Sequence, residues 1–139
     1  MIEDKLKKEF CYLRDRIIEN RYKHLDPMQT NAVLFGKNSC IVVACPGAGK
    51  TTVLINRIDY LSKFGLVYNT DNVPSDLQQD NLQLMRDYLS NDSGGKTLVS
   101  VNRIANLINE QKISPKNIIV ITFTRAAAIN MKNRYIAIN

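Results

Sequence analysis

The sequence predicts an α/β fold, a parallel sheet with flanking helices. Two apolar runs and their order predict it. Cys40-Ile-Val-Val-Ala is short and β-branched, ends in a glycine-bearing turn and leads into an amphipathic stretch. Asn117-Ile-Ile-Val-Ile-Thr-Phe is a second such run, followed by a segment rich in helix formers. A β-α-β-α order of this kind is the pattern of parallel strands joined by right-handed crossovers. With 139 residues, 45% hydrophobic and 23% charged, the composition is that of one soluble globular domain with one core.

Taken in order, Leu6, Phe10, Leu13 and Ile17 form one apolar stripe at helical spacing, predicting a helix over 4–20 with Glu3 and Asp4 at its positive end. Leu25-Asp-Pro-Met-Gln-Thr-Asn-Ala-Val opens with a helix start signal, Asp26 as N-cap and Pro27 at the first helical position, which puts Gln29 in the first turn. The run 40–44, bounded by Asn38-Ser39 and Pro46-Gly47, reads as a buried strand. A helix over 50–63 follows, with Leu54, Ile58 and Leu61 inward and Gly65 placed to end it.

Residues 65–111 read as a helical insertion. Ser75-Asp-Leu-Gln is a capping box for a helix reaching about Leu89, and Ser90-Asn-Asp-Ser-Gly-Gly is a loop. Leu98 to Val101 fits either a brief strand or a helix lead-in, and Ile104, Leu107 and Ile108 give a short helical face. Asn-Arg-Ile-x-x-Leu occurs at Asn56 and again at Asn102, too short a pattern to mark a repeat. The run 117–123 is the second buried strand, and Ala126 to Ile136 the last helix.

The formal charge is +6, and its distribution is uneven. Residues 96–139 carry seven Lys or Arg against one acid, Glu110, whereas the stretch from Asp71 to Asp92 is acidic. The basic end suits a polyanion, and equally a solvated face. Cys11, Cys40 and Cys45 lack metal-ligand spacing and read as free thiols of a reducing compartment. No apolar run approaches the roughly 20 residues of a membrane span, and the charged start is followed by no signal-peptide stretch, so a cytoplasmic protein with no membrane partner is expected.

Ala44-Cys-Pro-Gly-Ala-Gly-Lys-Thr-Thr fits the Walker A pattern except that Ala44 stands where the general form has its first glycine. Gly47 and Gly49 free the backbone to turn N–H groups inward, and the positive end of the next helix faces a bound phosphate. The expected nucleotide contacts run from Ala44 through Pro46, Gly47, Ala48 and Gly49 to Lys50, Thr51 and Thr52. Lys50 supplies a point charge to the β- and γ-phosphates, Thr51 a hydroxyl to Mg²⁺ held by the nucleotide, and Thr52 is a phosphate neighbour. Lys50 and Thr51 are therefore the expected catalytic pair.

Three segments in the same order, 25–33, 43–58 and 121–134, resemble successive motifs of UvrD-like superfamily 1 helicases, where a phosphate loop beginning with alanine is ordinary. The resemblance implies a P-loop NTPase of RecA-like fold, incomplete over 1–139, that forms the N-terminal part of a helicase ATP-binding domain. It implies ATP and Mg²⁺ as cofactors, with Gln29 reading the adenine edge. It also implies single-stranded DNA as partner, or duplex DNA with a single-stranded tail for the parent protein, contacted by Thr122, Phe123, Thr124 and Arg125. The segment departs from the family's commonest form: Arg125-Ala126 stands where Asn-Lys is frequent, and Asn130 where Glu is.

Hydrolysis also requires an acid on a neighbouring strand to hold Mg²⁺ and another group to orient water. No apolar strand ending in Asp-Glu occurs in this sequence. The expectation is thus a piece of a longer ATP-dependent translocase, inactive alone, with these acids and a second RecA-like lobe further on. A stand-alone nucleotide-binding module without turnover is the alternative, and a small nucleotide kinase a more distant one.

Overall fold

The computed structural model of the chain describes residues 2–36, 39–91, 100–109 and 112–139. Its helices follow in the order α1 (Ile2–Arg21), α2 (Pro27–Leu34), α3 (Lys50–Lys63), α4 (Gln79–Asn91), α5 (Val101–Ile108) and α6 (Arg125–Ala137), with a 3₁₀ turn at Pro115–Asn117. They divide between two compact units, Met1–His24 with Val67–Gln111, and Leu25–Leu66 with Lys112–Asn139.

In the first unit α1 packs on α4, and α4 on α5. The predicted stripe of α1 is buried at Phe10, Leu13 and Ile17, joined by Ile18, while Leu6 is half-buried. Leu82 and Met85 of α4 and Ile104 and Ile108 of α5 are buried as well. Arg14 lies wholly inside. Its guanidinium donates to Asp15 Oδ1 at 2.9 Å, to the Asn72 carbonyl at 2.8 Å and to the Thr70 carbonyl at 2.7 Å. A buried charge persists only when its donors are matched in this way, and the match ties the irregular segment 70–72 to α1. Arg86 Nε on α4 donates to Glu9 Oε1 on α1 at 3.0 Å.

The insertion differs in detail from the expectation. Ser75 and Asp76 form a turn, and α4 begins only at Gln79. At the other end Ser100 caps α5 by accepting from the Arg103 N–H at 3.3 Å, so Ser100 and Val101 are a helix lead-in. Of the loop predicted from Ser90 to Gly95, Ser90 and Asn91 instead belong to α4, and 92–95 lie outside the described residues, as do 98–99 and Glu110.

In the second unit α3 packs against both α2 and α6. Asp26 caps α2, accepting from the Gln29 N–H at 2.9 Å, while Gln29 Oε1 accepts from the Asp26 N–H at 3.3 Å. Pro27 occupies the first turn, where its missing N–H costs nothing. α3 ends as expected: Gly65, at φ 67, sends its N–H to the Tyr60 and Leu61 carbonyls.

Two sequence expectations fail in this unit. The α/β parallel sheet of a RecA-like P-loop NTPase is not seen, because among the described residues there is no strand. Segments 39–45 and 118–123 carry the β-branched side chains that favour extended dihedrals, but a strand also needs a neighbour on its ladder. No backbone hydrogen bond between them is found among the described residues. Their large side chains stand open: Ile41 is 92% exposed, Val43 93%, Ile119 85% and Ile121 89%.

The inward face of α3 is also displaced. Leu54 is exposed and Ile58 and Leu61 are half-buried, whereas Ile55, Asn56, Asp59 and Tyr60 are buried. The apolar period cannot say which of two neighbouring faces meets a partner when a helix is flanked on two sides. Nor do the two Asn-Arg-Ile-x-x-Leu stretches behave alike: Arg57 is half-buried and Arg103 exposed. Among the described residues no helix is long and apolar enough to cross a membrane.

Candidate functional site

The phosphate-loop segment is built from two local devices. Residues 45–48 form a tight turn closed by the Ala48 N–H donating to the Cys45 carbonyl at 3.2 Å. Pro46 and Gly47 hold its two central positions, and Gly47 sits at φ 81, the geometry of a type II turn. Gly49 then serves as N-cap of α3 in the left-handed region at φ 78. A β-carbon at Gly49 would lie 2.7 Å from Gln29 Nε2. Any other residue there is strained by its φ and displaces the Gln29 amide.

Gln29 approaches because its amide is held at both ends. Oε1 accepts from the Asp26 backbone as above, and Nε2 donates to the Ala48 carbonyl at 3.3 Å. Two predicted site residues, nineteen positions apart, are thus brought together against one loop. One N–H of the amide and a lone pair of its oxygen remain for another partner.

Lys50, first residue of α3, folds back over the loop, its ammonium donating to the Ala44 carbonyl at 3.1 Å and the Cys45 carbonyl at 2.8 Å. A cation at a helix N-terminus opposes the helix dipole, and α3 has no acid in its first turn to offset it. The two carbonyls supply that offset. Geometry leaves the N–H groups of Lys50, Thr51 and Thr52 without intrahelical acceptors, while the Val53 N–H is taken by the Gly49 carbonyl at 3.0 Å. Three backbone donors and a primary ammonium around a glycine turn form a donor set that fits a phosphate. Thr51 is half-buried in the same turn.

Of the expected DNA residues, Phe123 is fully exposed rather than part of a core. Thr124 caps α6, its hydroxyl oxygen accepting from the Ala127 N–H at 3.1 Å. The Thr122 hydroxyl bonds the Thr124 backbone, accepting from its N–H and donating to its carbonyl, each at 3.3 Å. Arg125 is the first residue of α6, exposed, with no acid in that turn. Thr122, Ala128, Met131 and Tyr135 also line a cavity of about 250 Å³ with Ile58 of α3.

Two arginines at this site were not singled out from the sequence. Arg57 donates to the Val33 and Phe35 carbonyls, each at 2.6 Å, closing the C-terminal end of α2 while its guanidinium lies 5.7 Å from the Tyr60 ring centre. Burial pushes its pKa below the usual arginine range. It therefore locks the helix bearing Gln29 to the helix bearing Lys50. Arg134 of α6 donates to Thr52 Oγ1 at 2.8 Å. Both lie within the segments 43–58 and 121–134 that carry the family resemblance, but no local pattern pointed to these contacts.

All three cysteines are free. Cys45, in the loop, is exposed, and Cys11 is half-buried, its thiol pushed up chiefly by burial.

The model of the UvrD/REP helicase N-terminal domain matches residues 25–71 and 93–138. Among curated proteins, the ATP-dependent DNA helicase PcrA of Staphylococcus aureus is 52% identical over 40 residues, and that of Staphylococcus epidermidis 55% over 40. Each match covers 29% of this chain and 6% of the relative's length. No solved structure matches the chain.

Proposed function

Because the chain belongs to the UvrD/REP helicase N-terminal domain family, we propose that it is the ATP-binding portion of an ATP-dependent DNA helicase that moves on single-stranded DNA. The observation that carries the reading is the meeting of Gln29 with the glycine loop ahead of Lys50. It puts a bidentate amide suited to a purine edge beside a donor cluster suited to phosphates, the two recognitions that adenine nucleotide binding needs.

In this reading the N–H groups of residues 50–52 and the Lys50 ammonium hold the β- and γ-phosphates. The ammonium has a third N–H beyond the two given to Ala44 and Cys45. Thr51 offers its hydroxyl as one oxygen ligand to Mg²⁺, which when bound neutralises charge on the phosphates. Ala44 and Pro46 shape the loop, and Ala48 anchors Gln29. Phe123 offers a face on which any base can stack, worth about 1–3 kcal/mol per base. The Thr124 hydroxyl retains its proton for a backbone oxygen, and Arg125 adds a charge-assisted phosphate contact. Turnover and stepping belong to the whole helicase, with its further acids and second lobe.

Competition binding with a fluorescent ATP analogue tests the assignment of Gln29. The wild-type chain should prefer ATP to GTP, and Gln29→Ala should lose at least about fivefold of that preference, the equivalent of one hydrogen bond. Equal preference in both proteins would remove Gln29 from the site.

A further inference from the structure

The Arg134–Thr52 bond joins residues eighty-two positions apart. Thr52 belongs to the first turn of α3, whose N–H groups form the cradle. Arg134 belongs to α6, which starts at Arg125 with Thr124 as its N-cap, next to Phe123 in the chain. A helix rises about 1.5 Å per residue, so these two ends of α6 are about 15 Å apart on one rigid element. The same helix is fastened to α3 by a Tyr135 hydroxyl 3.2 Å from Ser62 Oγ. Past its end, Asn139 Oδ1 accepts from Lys63. The 3.2 Å and 2.8 Å contacts each join a side chain of α6 to one of α3.

From this we infer that Arg134 is a positioning residue coupling the nucleotide cradle to the nucleic-acid segment at the start of α6, a role that rests on the proposed function above. Thr52 is a neutral acceptor, and a guanidinium binds a phosphate oxygen more strongly than a hydroxyl. Nucleotide phosphates arriving at the first turn of α3 therefore compete for Arg134 and change the restraint on α6. A strand held at Phe123 and Arg125 biases the same helix from its other end. Such coupling is reciprocal: each ligand changes the affinity of the other by one and the same factor.

The test is the affinity of the 139-residue chain for a fluorescent ATP analogue with and without a saturating oligo(dT), for the wild type, Arg134→Gln, Arg134→Lys, Thr52→Val and the double variant Arg134→Gln/Thr52→Val. In the wild type the oligonucleotide should change analogue affinity by about fivefold or more, the low end of ordinary coupling. Arg134→Gln should bring that factor close to one, Arg134→Lys should restore part of it, and the double variant should be no worse than Arg134→Gln alone. A purely structural role would lower the melting temperature and leave the factor intact, which overturns the inference, as does a wild-type factor of one. A wild-type chain that binds no analogue at all removes the nucleotide assignment and this inference with it, whereas tight binding with unchanged coupling removes the inference alone.

Discussion

The two long helices of each unit begin differently. In the first, α1 opens on Glu3 and Asp4 and α4 has Asp80 in its first turn, so the positive ends of these two helices meet acids. In the second, α3 opens on Lys50 and α6 on Arg125, with no acid in either first turn. Matching the dipole contributes about 0.3–1 kcal/mol per helix end, and a cation there works against it. Phe10, Leu82, Met85 and Ile104 of the first unit are wholly buried, as are Val33 and Phe64 of the second, but the second also leaves Ile41, Val43, Ile119 and Ile121 in the open. In the second unit Lys50 turns to the Ala44 and Cys45 carbonyls rather than to an acid, and among the described residues no backbone hydrogen bond joins segments 39–45 and 118–123.

The contrast can be broken by substitution. Phe10→Ala should cost about 3–5 kcal/mol in urea denaturation, the range for emptying a packed aromatic site, whereas Ile119→Ala should stay within about 0.5 kcal/mol. Comparable costs at both positions would mean that the 118–123 segment is packed in solution. Asp26→Ala, which removes the side-chain acceptor that caps α2 and leaves the backbone N–H to which Gln29 bonds, should lower stability by about 1 kcal/mol. An unchanged melting curve would deny that cap its role. The smallest effect sharpens the comparison most: Arg125→Glu should raise stability by about 0.3–1 kcal/mol while weakening oligo(dT) binding in a filter assay. A variant that is both less stable and equally good at binding DNA would contradict the view that Arg125 is held there for an external anion.

Helices were legible in the sequence where their signals are local. Asp26-Pro27 marks the start of α2, Gly65 the end of α3 and the stripe Phe10-Leu13-Ile17 the buried face of α1, each written within a few residues. The sheet was not, because the runs at 40–44 and 117–123 encode only the willingness to extend, and pairing depends on neighbours elsewhere. The buried face of α3 was misread for a related reason: Leu54, Ile58 and Leu61 fit the helical period, but the helix is covered from two sides. At the site, a glycine-bearing turn after Pro46-Gly47 leading into a helix at Lys50 was legible, whereas the role of Gly49 as N-cap came from the structure. The Ala48–Gln29 and Thr52–Arg134 contacts join distant segments and carry no local pattern.

If the loop ahead of α3 holds a nucleotide through Lys50, equilibrium titration of a fluorescent ATP analogue with Mg²⁺ should separate the wild-type chain from Lys50→Ala. The wild type should bind saturably and the variant at least about tenfold more weakly, the loss of one charge-assisted contact, with both proteins folded by circular dichroism. Equal affinity in the two proteins, or no saturable binding to the wild type, would contradict that assignment.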